Sequence, residues 1–393
     1  MYSNRWSQGL LSLGFLWFVL AIAFAPANKI YQQGLVALLW LPTLALAWSG
    51  RESLSHLWQE KRSLCVSLLL LAAWSIISLS WSRTDDTGRE LKRMLYIAVF
   101  ILFFPLLAAG RSESVPRLMQ WGGAGIGLAA MASIILFFGI HHNPLLARLE
   151  GIGELSHPIL GAYVIGVGAI WTLLLPPQHK GLQVVWAFGL MCCCAFVIMS
   201  QSRGAALAMA LTLVVLPIWW RDYRAWLLSV GTLVLGVVVF YVMHDQMMAR
   251  GSSYRPEIFA AVVKMIRLHP WGGLGLGSDY DVTVASGIVF DHSHNLFTHV
   301  AIELGLPGML LWAGVWLAVL RESWRSRETA LGRCMMGIWV FSTFAMQFDA
   351  ASLTGSPRAE WFISWLPVGL ACVLVSFRST HTAVVKSRAQ FNQ

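Results

Sequence analysis

Apolar runs recur from one end of this chain to the other, and each is close to the roughly 20 residues that a membrane helix needs. No other property narrows the fold as much. The chain is 57% hydrophobic and 12% charged, where a soluble domain carries about 25% charged residues. Backbone polar groups inside a bilayer must be paired within the protein, which leaves helices as the economical solution. The expected fold class is therefore an all-α polytopic membrane protein. Twelve candidate spans fall near 10–26, 34–49, 64–81, 94–110, 121–140, 158–176, 183–199, 204–220, 225–243, 295–320, 332–349 and 359–377. Only Arg5 precedes the first apolar run, and a second run follows closely, so the first reads as a helix and not as a cleaved signal peptide.

The formal net charge of +9 fits Lys and Arg that flank membrane helices and fix their orientation. Zinc-finger spacing and a basic amphipathic arm are both missing, so nucleic acid is not an expected partner. The six cysteines lie in or beside apolar runs and read as small buried residues. With the N-terminus in the cytoplasm, the even-numbered loops and both ends carry more Lys and Arg than the odd-numbered loops, once the one long loop is set aside. Both termini are thus expected to be cytoplasmic. The organisation reads as spans one to nine over 1–243, a long outer loop over 244–294, spans ten to twelve over 295–377, and a polar tail over 378–393.

Within the long loop, "PEIFAAVVKMIRLHP" predicts a helix. Pro256 suits a first helical position, and Ile258, Ala261, Val262, Met265, Ile266 and Leu268 form an apolar stripe. Such a helix could lie on the membrane surface, roof a cavity, or simply pack on the bundle. "GGLGLG" (Gly272 to Gly277) lacks the flanking strand, helix and Lys-Ser/Thr of a phosphate loop, and reads as a mobile turn.

Polar residues at membrane depth are costly and so are functional candidates. Arg148, Arg203, Arg255, His292, His294 and Asp349 all fall in odd-numbered loops and so share one face of the membrane. Alone, Arg203 or Arg255 is more often an interfacial anchor or a structural ion pair, and Asp349 could cap a helix or pair with Arg358. His294 stands where the tenth span begins, with Asp291 or Ser293 placed to cap it. The positive end of a helix disfavours imidazolium, and a neutral ring can accept a proton. A capping histidine without a catalytic role fits the same spacing. His292-x-His294 offers two metal ligands and "DYD" (Asp279, Asp281) an acidic pair, but neither has a well-spaced third ligand, so no metal is expected.

Three stretches taken in order resemble the signatures of the bacterial O-antigen ligase family: "SRGA", "YRPEIFAAVVKMIRLHPWGGLGLG" and "HNLFTHVAIELGLPG". They hold an arginine ending a span, an arginine opening the outer-loop helix, and a histidine, His294, followed by Asn295 and a later glycine, Gly305. The turn departs slightly, reading "HPWGGLGLG". The resemblance covers most of the chain. It implies the GT-C type fold of membrane glycosyltransferases that use polyprenyl-linked sugars. It implies transfer of O-antigen polysaccharide from undecaprenyl pyrophosphate to a hydroxyl of lipid A–core at the periplasmic face of the inner membrane, without ATP, metal or other cofactor. In that scheme Arg203 and Arg255, with Arg148 as a weaker third, hold the pyrophosphate. His294 is the base, and Asp349, His292 and Asn295 bind the acceptor or orient. Membrane lipid is the other expected partner. An O-antigen polymerase or an O-linked oligosaccharyltransferase would fit the same motifs, and a secondary transporter would fit twelve spans.

Overall fold

The computed structural model describes residues 5–109, 114–249 and 254–374, so the polar tail expected over 378–393 lies outside it. The described chain is helical apart from a two-stranded ribbon, Val282–Thr283 paired antiparallel with Val289–Phe290. Seven helices are long and apolar enough to cross a membrane, and a pair bent by 99°, Arg51–Glu60 with Arg62–Ser78, supplies an eighth if it counts as one span. Shorter apolar helices occupy Pro158–Leu174, Arg203–Ile218, Ala330–Ala345 and Trp365–Leu374. Each of the twelve expected spans therefore contains a helix, but by length only seven or eight qualify as full crossings. The short helices sit deep: Pro158–Leu174 is buried along most of its length. A helix wrapped in protein need not match the thickness of the bilayer. By contrast, Tyr223–Val242 has 11% of its window buried and Lys180–Met199 has 22%. Faces this apolar left outside the bundle need lipid and not water against them, and the chain is a multi-pass membrane protein.

The amphipathic helix Arg51–Glu60 was not legible in the hydropathy. It runs into Lys61, which pairs with Glu322 near the far end of the helix Leu296–Arg325; both residues are 2% exposed. The last helix of the first half, Tyr223–Ala249, runs six residues past the expected end at 243, and the long loop is correspondingly shorter. Inside that loop the helix Arg255–Leu268 forms as its stripe requires. It packs on protein: Ile258 and Val262 join Val282, Val284 and Ile302 in a small second core, which makes the helix and ribbon a roof over one end of the bundle.

The helix Leu296–Arg325 is broken at Gly305, whose φ is +69° and ψ −176°. Groups on both sides of the break find partners in neighbouring segments. Trp74 Nε1 donates to Leu304 O at 2.8 Å, the Leu274 and Gly275 amides donate to Ile302 O and Glu303 O at 2.8 Å, and Leu306 N donates to Pro270 O at 2.8 Å. That is how an interrupted helix survives at membrane depth. The glycine run is the other half of this junction. A Cβ at Gly273 would meet Glu303 O at 2.4 Å, and one at Gly275 would meet Ser82 Cα at 2.4 Å, with φ of +62° and +93°. These glycines permit close packing, so the expected mobile turn is corrected to a packed one. Gly305→Ala should destabilise the protein by about 2 kcal/mol or more, because its Cβ would lie 2.4 Å from Trp271 O. An unchanged melting temperature in detergent would show that residues 270–271 can simply move away.

Candidate active site

Among the described residues, four non-glycine residues have left-handed backbones: His142, Gln201, Tyr254 and His294, with φ of 52°, 51°, 58° and 52°. Three of them adjoin or are the residues singled out from the sequence. Tyr254 precedes Arg255, Gln201 comes just before Arg203, and the third is His294 itself. Left-handed geometry costs an ordinary side chain about 1 kcal/mol, although histidine adopts it more readily than most.

The sharp turn at His294 ends at Asn295, whose Oδ1 accepts from Phe297 N at 2.9 Å and Thr298 N at 3.2 Å. Asn295 is thus the helix cap, in place of the expected Asp291 or Ser293. Asp291 instead meets His292, and the Ser293 hydroxyl donates to Asn295 O at 3.0 Å. With its oxygen already engaged, Asn295 orients the turn and keeps little capacity for a substrate. Leu296 N donates to Met346 O at 2.8 Å, which ties this turn to the end of the helix Ala330–Ala345.

That tie brings Asp349 under the histidines. Its Oδ1 lies 3.0 Å from His294 Nδ1 and 3.3 Å from His292 Nε2, and the two rings stand 3.9 Å apart. His292 Nδ1 lies 2.6 Å from Asp291 Oδ1. Burial alone would raise the Asp349 carboxyl, but hydrogen bonds from both histidines and their charge hold it well below the ordinary range. The bond to Asp349 raises His292, against the opposing effect of burial, and Asp291 adds to the rise. His292 has a carboxylate at each ring nitrogen, which favours its protonated form. His294 shows Nδ1 to a carboxylate, which favours the tautomer whose Nε2 lone pair is free to accept a proton. The sequence left Asp349 open to pairing with Arg358; its partners are the histidines.

The ligand atoms of His292, His294 and Asp349 lie within 4.8 Å of one another. The sequence had offered no third ligand for the His-x-His pair, and Asp349 now supplies that position. A cation there would need His292 unprotonated, so it would compete with the proton that Asp291 and Asp349 favour on that ring.

Arg255 donates to Phe348 O, and its guanidinium lies 5.5 Å from the Phe348 ring centre. Arg203 opens the helix Arg203–Val214, capped by Ser202. A Cβ at the next residue, Gly204, would meet Phe348 Cβ at 2.8 Å, so this helix start abuts the same phenylalanine. Arg148 runs alongside: its Nε donates to Ser200 O at 2.9 Å, and Leu149 N donates to Met199 O at 3.0 Å. Phe348 thus joins the arginine segments to Asp349, its neighbour in the chain.

Beside His292 lies a polar cavity of about 720 Å³ that the sequence reading missed. His292, Asp279 and Asp281 border it, with Arg89, Glu90 and Arg93 from the helix Thr87–Ala108 and His299 and Glu303 from the first turns after His294. Tyr280 Oη lies 2.8 Å from His299 Nδ1, and His299 Nε2 lies 3.2 Å from Glu303 Oε2. Burial pushes the Tyr280 hydroxyl upward, so it stays protonated and available as a donor. Asp279 and Asp281 of the "DYD" pair lie on this cavity, and the i,i+4 spacing of His299 and Glu303 is a further local signal for it.

A family model described as O-antigen ligase matches residues 186–313, which takes in Arg203, Arg255, His292 and His294. An O-antigen ligase of Pseudomonas aeruginosa is 26% identical over 371 residues, which is 94% of this chain and 91% of that protein. The resemblance read from three short motifs therefore holds along almost the whole chain, and the polytopic protein described above is similar to the O-antigen ligases in the segment that carries its candidate site as well as beyond it.

Proposed function

We propose that this protein transfers O-antigen polysaccharide from undecaprenyl pyrophosphate to a sugar hydroxyl of lipid A–core, with inversion and without metal or ATP. The setting is the bacterial inner membrane, with the candidate site facing the periplasm and both termini in the cytoplasm. The observation that carries this reading is the His294–Asp349 pair set beside Arg255 at Phe348. Asp349 fixes the ring, and His294 Nε2 takes the proton from the acceptor hydroxyl. The acceptor oxygen forms its bond to the anomeric carbon while the bond from that carbon to the pyrophosphate oxygen breaks. Undecaprenyl pyrophosphate leaves with the electron pair. Arg255, Arg203 and Arg148 hold the charge that grows on it, by fixed, charge-assisted donors. The donor sugar is already activated, so no nucleotide is consumed. His292, set between Asp291 and Asp349, offsets the charge of Asp349.

The test is ligation in purified components. Undecaprenyl-pyrophosphate-linked polysaccharide, rough lipopolysaccharide and the protein in nanodiscs, with EDTA present, should give a ladder on lipid A–core. Longer chains on undecaprenyl pyrophosphate alone would make the protein a polymerase, and transfer to a protein acceptor would make it an oligosaccharyltransferase. Activity lost to EDTA and restored by a divalent ion would place a cation on His292, His294 and Asp349.

A further inference from the structure

The helix Thr87–Ala108 lines two cavities in succession. Arg89, Glu90 and Arg93 border the polar cavity of about 720 Å³. The turns that follow, through Met94, Ile97, Ala98 and Ile101, border an apolar groove of about 330 Å³. Thr354 borders both, so the two meet along one wall. Trp58 and Leu69 on the groove are 44% and 58% exposed. In a chain that spans the membrane, such a groove opens to lipid.

The chemistry of the polar half selects its occupant. Glu90, Asp279, Asp281, Asp291 and Glu303 border it against two arginines. Both of those arginines bind Glu90, at 3.1 Å and 2.7 Å. The surplus is anionic, which repels a pyrophosphate and suits hydroxyl groups that donate to carboxylates. Glu90 is fully buried, and its Oε2 has no partner. A buried acceptor left unpaired is costly, and a sugar hydroxyl supplies the missing donor.

Position gives the same answer. The strand of chain from 348 to 354 runs between the two halves of the site. Phe348 meets Arg255, Asp349 holds the histidines, and Ser352 and Thr354 border the polar cavity. The cavity therefore opens beside the Asp349–histidine cluster, with His292 common to both, where an acceptor hydroxyl has to arrive. We propose that the polar cavity and the apolar groove together form the acceptor site, with the saccharide of lipid A–core in the first and one of its acyl chains in the second. This rests on the ligase reading above.

Two tryptophan plugs test it. Ser352→Trp fills the polar cavity, and Ala98→Trp fills the groove from an exposed helical position. Binding of rough lipopolysaccharide and of undecaprenyl pyrophosphate is measured separately in phosphatidylethanolamine–phosphatidylglycerol nanodiscs, together with the acceptor KM. Ser352→Trp should weaken rough lipopolysaccharide binding and raise its KM about tenfold, with undecaprenyl pyrophosphate binding unchanged. Ala98→Trp should do the same for rough lipopolysaccharide but leave the KM of the deacylated core oligosaccharide as it was. Loss of undecaprenyl pyrophosphate binding alone would make this the donor site and overturn the proposal. Unchanged acceptor binding in both variants would overturn it too, leaving an ordinary phospholipid as the groove's only occupant. Should both ligands weaken together, Asp279→Lys at the exposed rim decides: an unchanged acceptor KM rejects the site. A wild-type protein that neither binds nor glycosylates rough lipopolysaccharide would instead sink the ligase reading itself.

Discussion

His294→Ala should lower ligation by about a hundredfold to ten-thousandfold, the range that removal of a general base spans, while the protein reaches the membrane in normal amount. Alanine carries a complication, because His294 has φ of +52° and alanine resists that backbone. His294→Asn removes the imidazole and keeps a residue that accepts the left-handed turn. The two variants should therefore fall together in activity, and His294→Asn should melt at or near the wild-type temperature. Recovery of activity in His294→Asn but not in His294→Ala would show that the turn matters and the ring does not. Asp349→Asn leaves His294 in place but loses its carboxylate partner at 3.0 Å, so it should cost less than removing the ring.

Arg255→Ala should lower turnover by about a hundredfold to a thousandfold, in line with loss of one fixed donor at a developing anion. Arg255→Lys should recover little of this. Lysine keeps the charge but cannot present the planar fork that binds Phe348 O and lies against the Phe348 ring. Because Phe348 adjoins Asp349, part of the loss could come from a displaced carboxylate. Binding of undecaprenyl pyrophosphate separates these effects. Weakened binding places Arg255 on the donor, whereas full binding with lost turnover makes it a support for Asp349.

The helices were legible because hydropathy is local: every expected span contains an apolar helix. Their lengths were less so, since a helix such as Pro158–Leu174, surrounded by protein, need not reach the bilayer surfaces. His294, Arg203 and Arg255 could be picked out because each sits in a short motif at a helix end. Asp349 was visible as an acidic residue on the right face, but its partners were not, since the bond to His294 spans 55 positions. The polar cavity was hidden for the same reason. Glu90 and Gly277 belong to distant segments that only the packed glycine turn brings into contact. The cap was misplaced because Asp291, Ser293 and Asn295 are all capping residues, and only the left-handed turn at His294 decides among them.

That turn has two companions, at Gln201 and Tyr254, and the three positions share a consequence. Glycine would relieve the backbone strain at each corner but would add conformational freedom to the unfolded chain, so the two effects largely offset each other. The chain instead places an imidazole, a phenol and an amide at the corners from which its candidate residues project. Stability alone therefore does not dictate glycine at these corners, which leaves them open to side chains suited to the chemistry of the site.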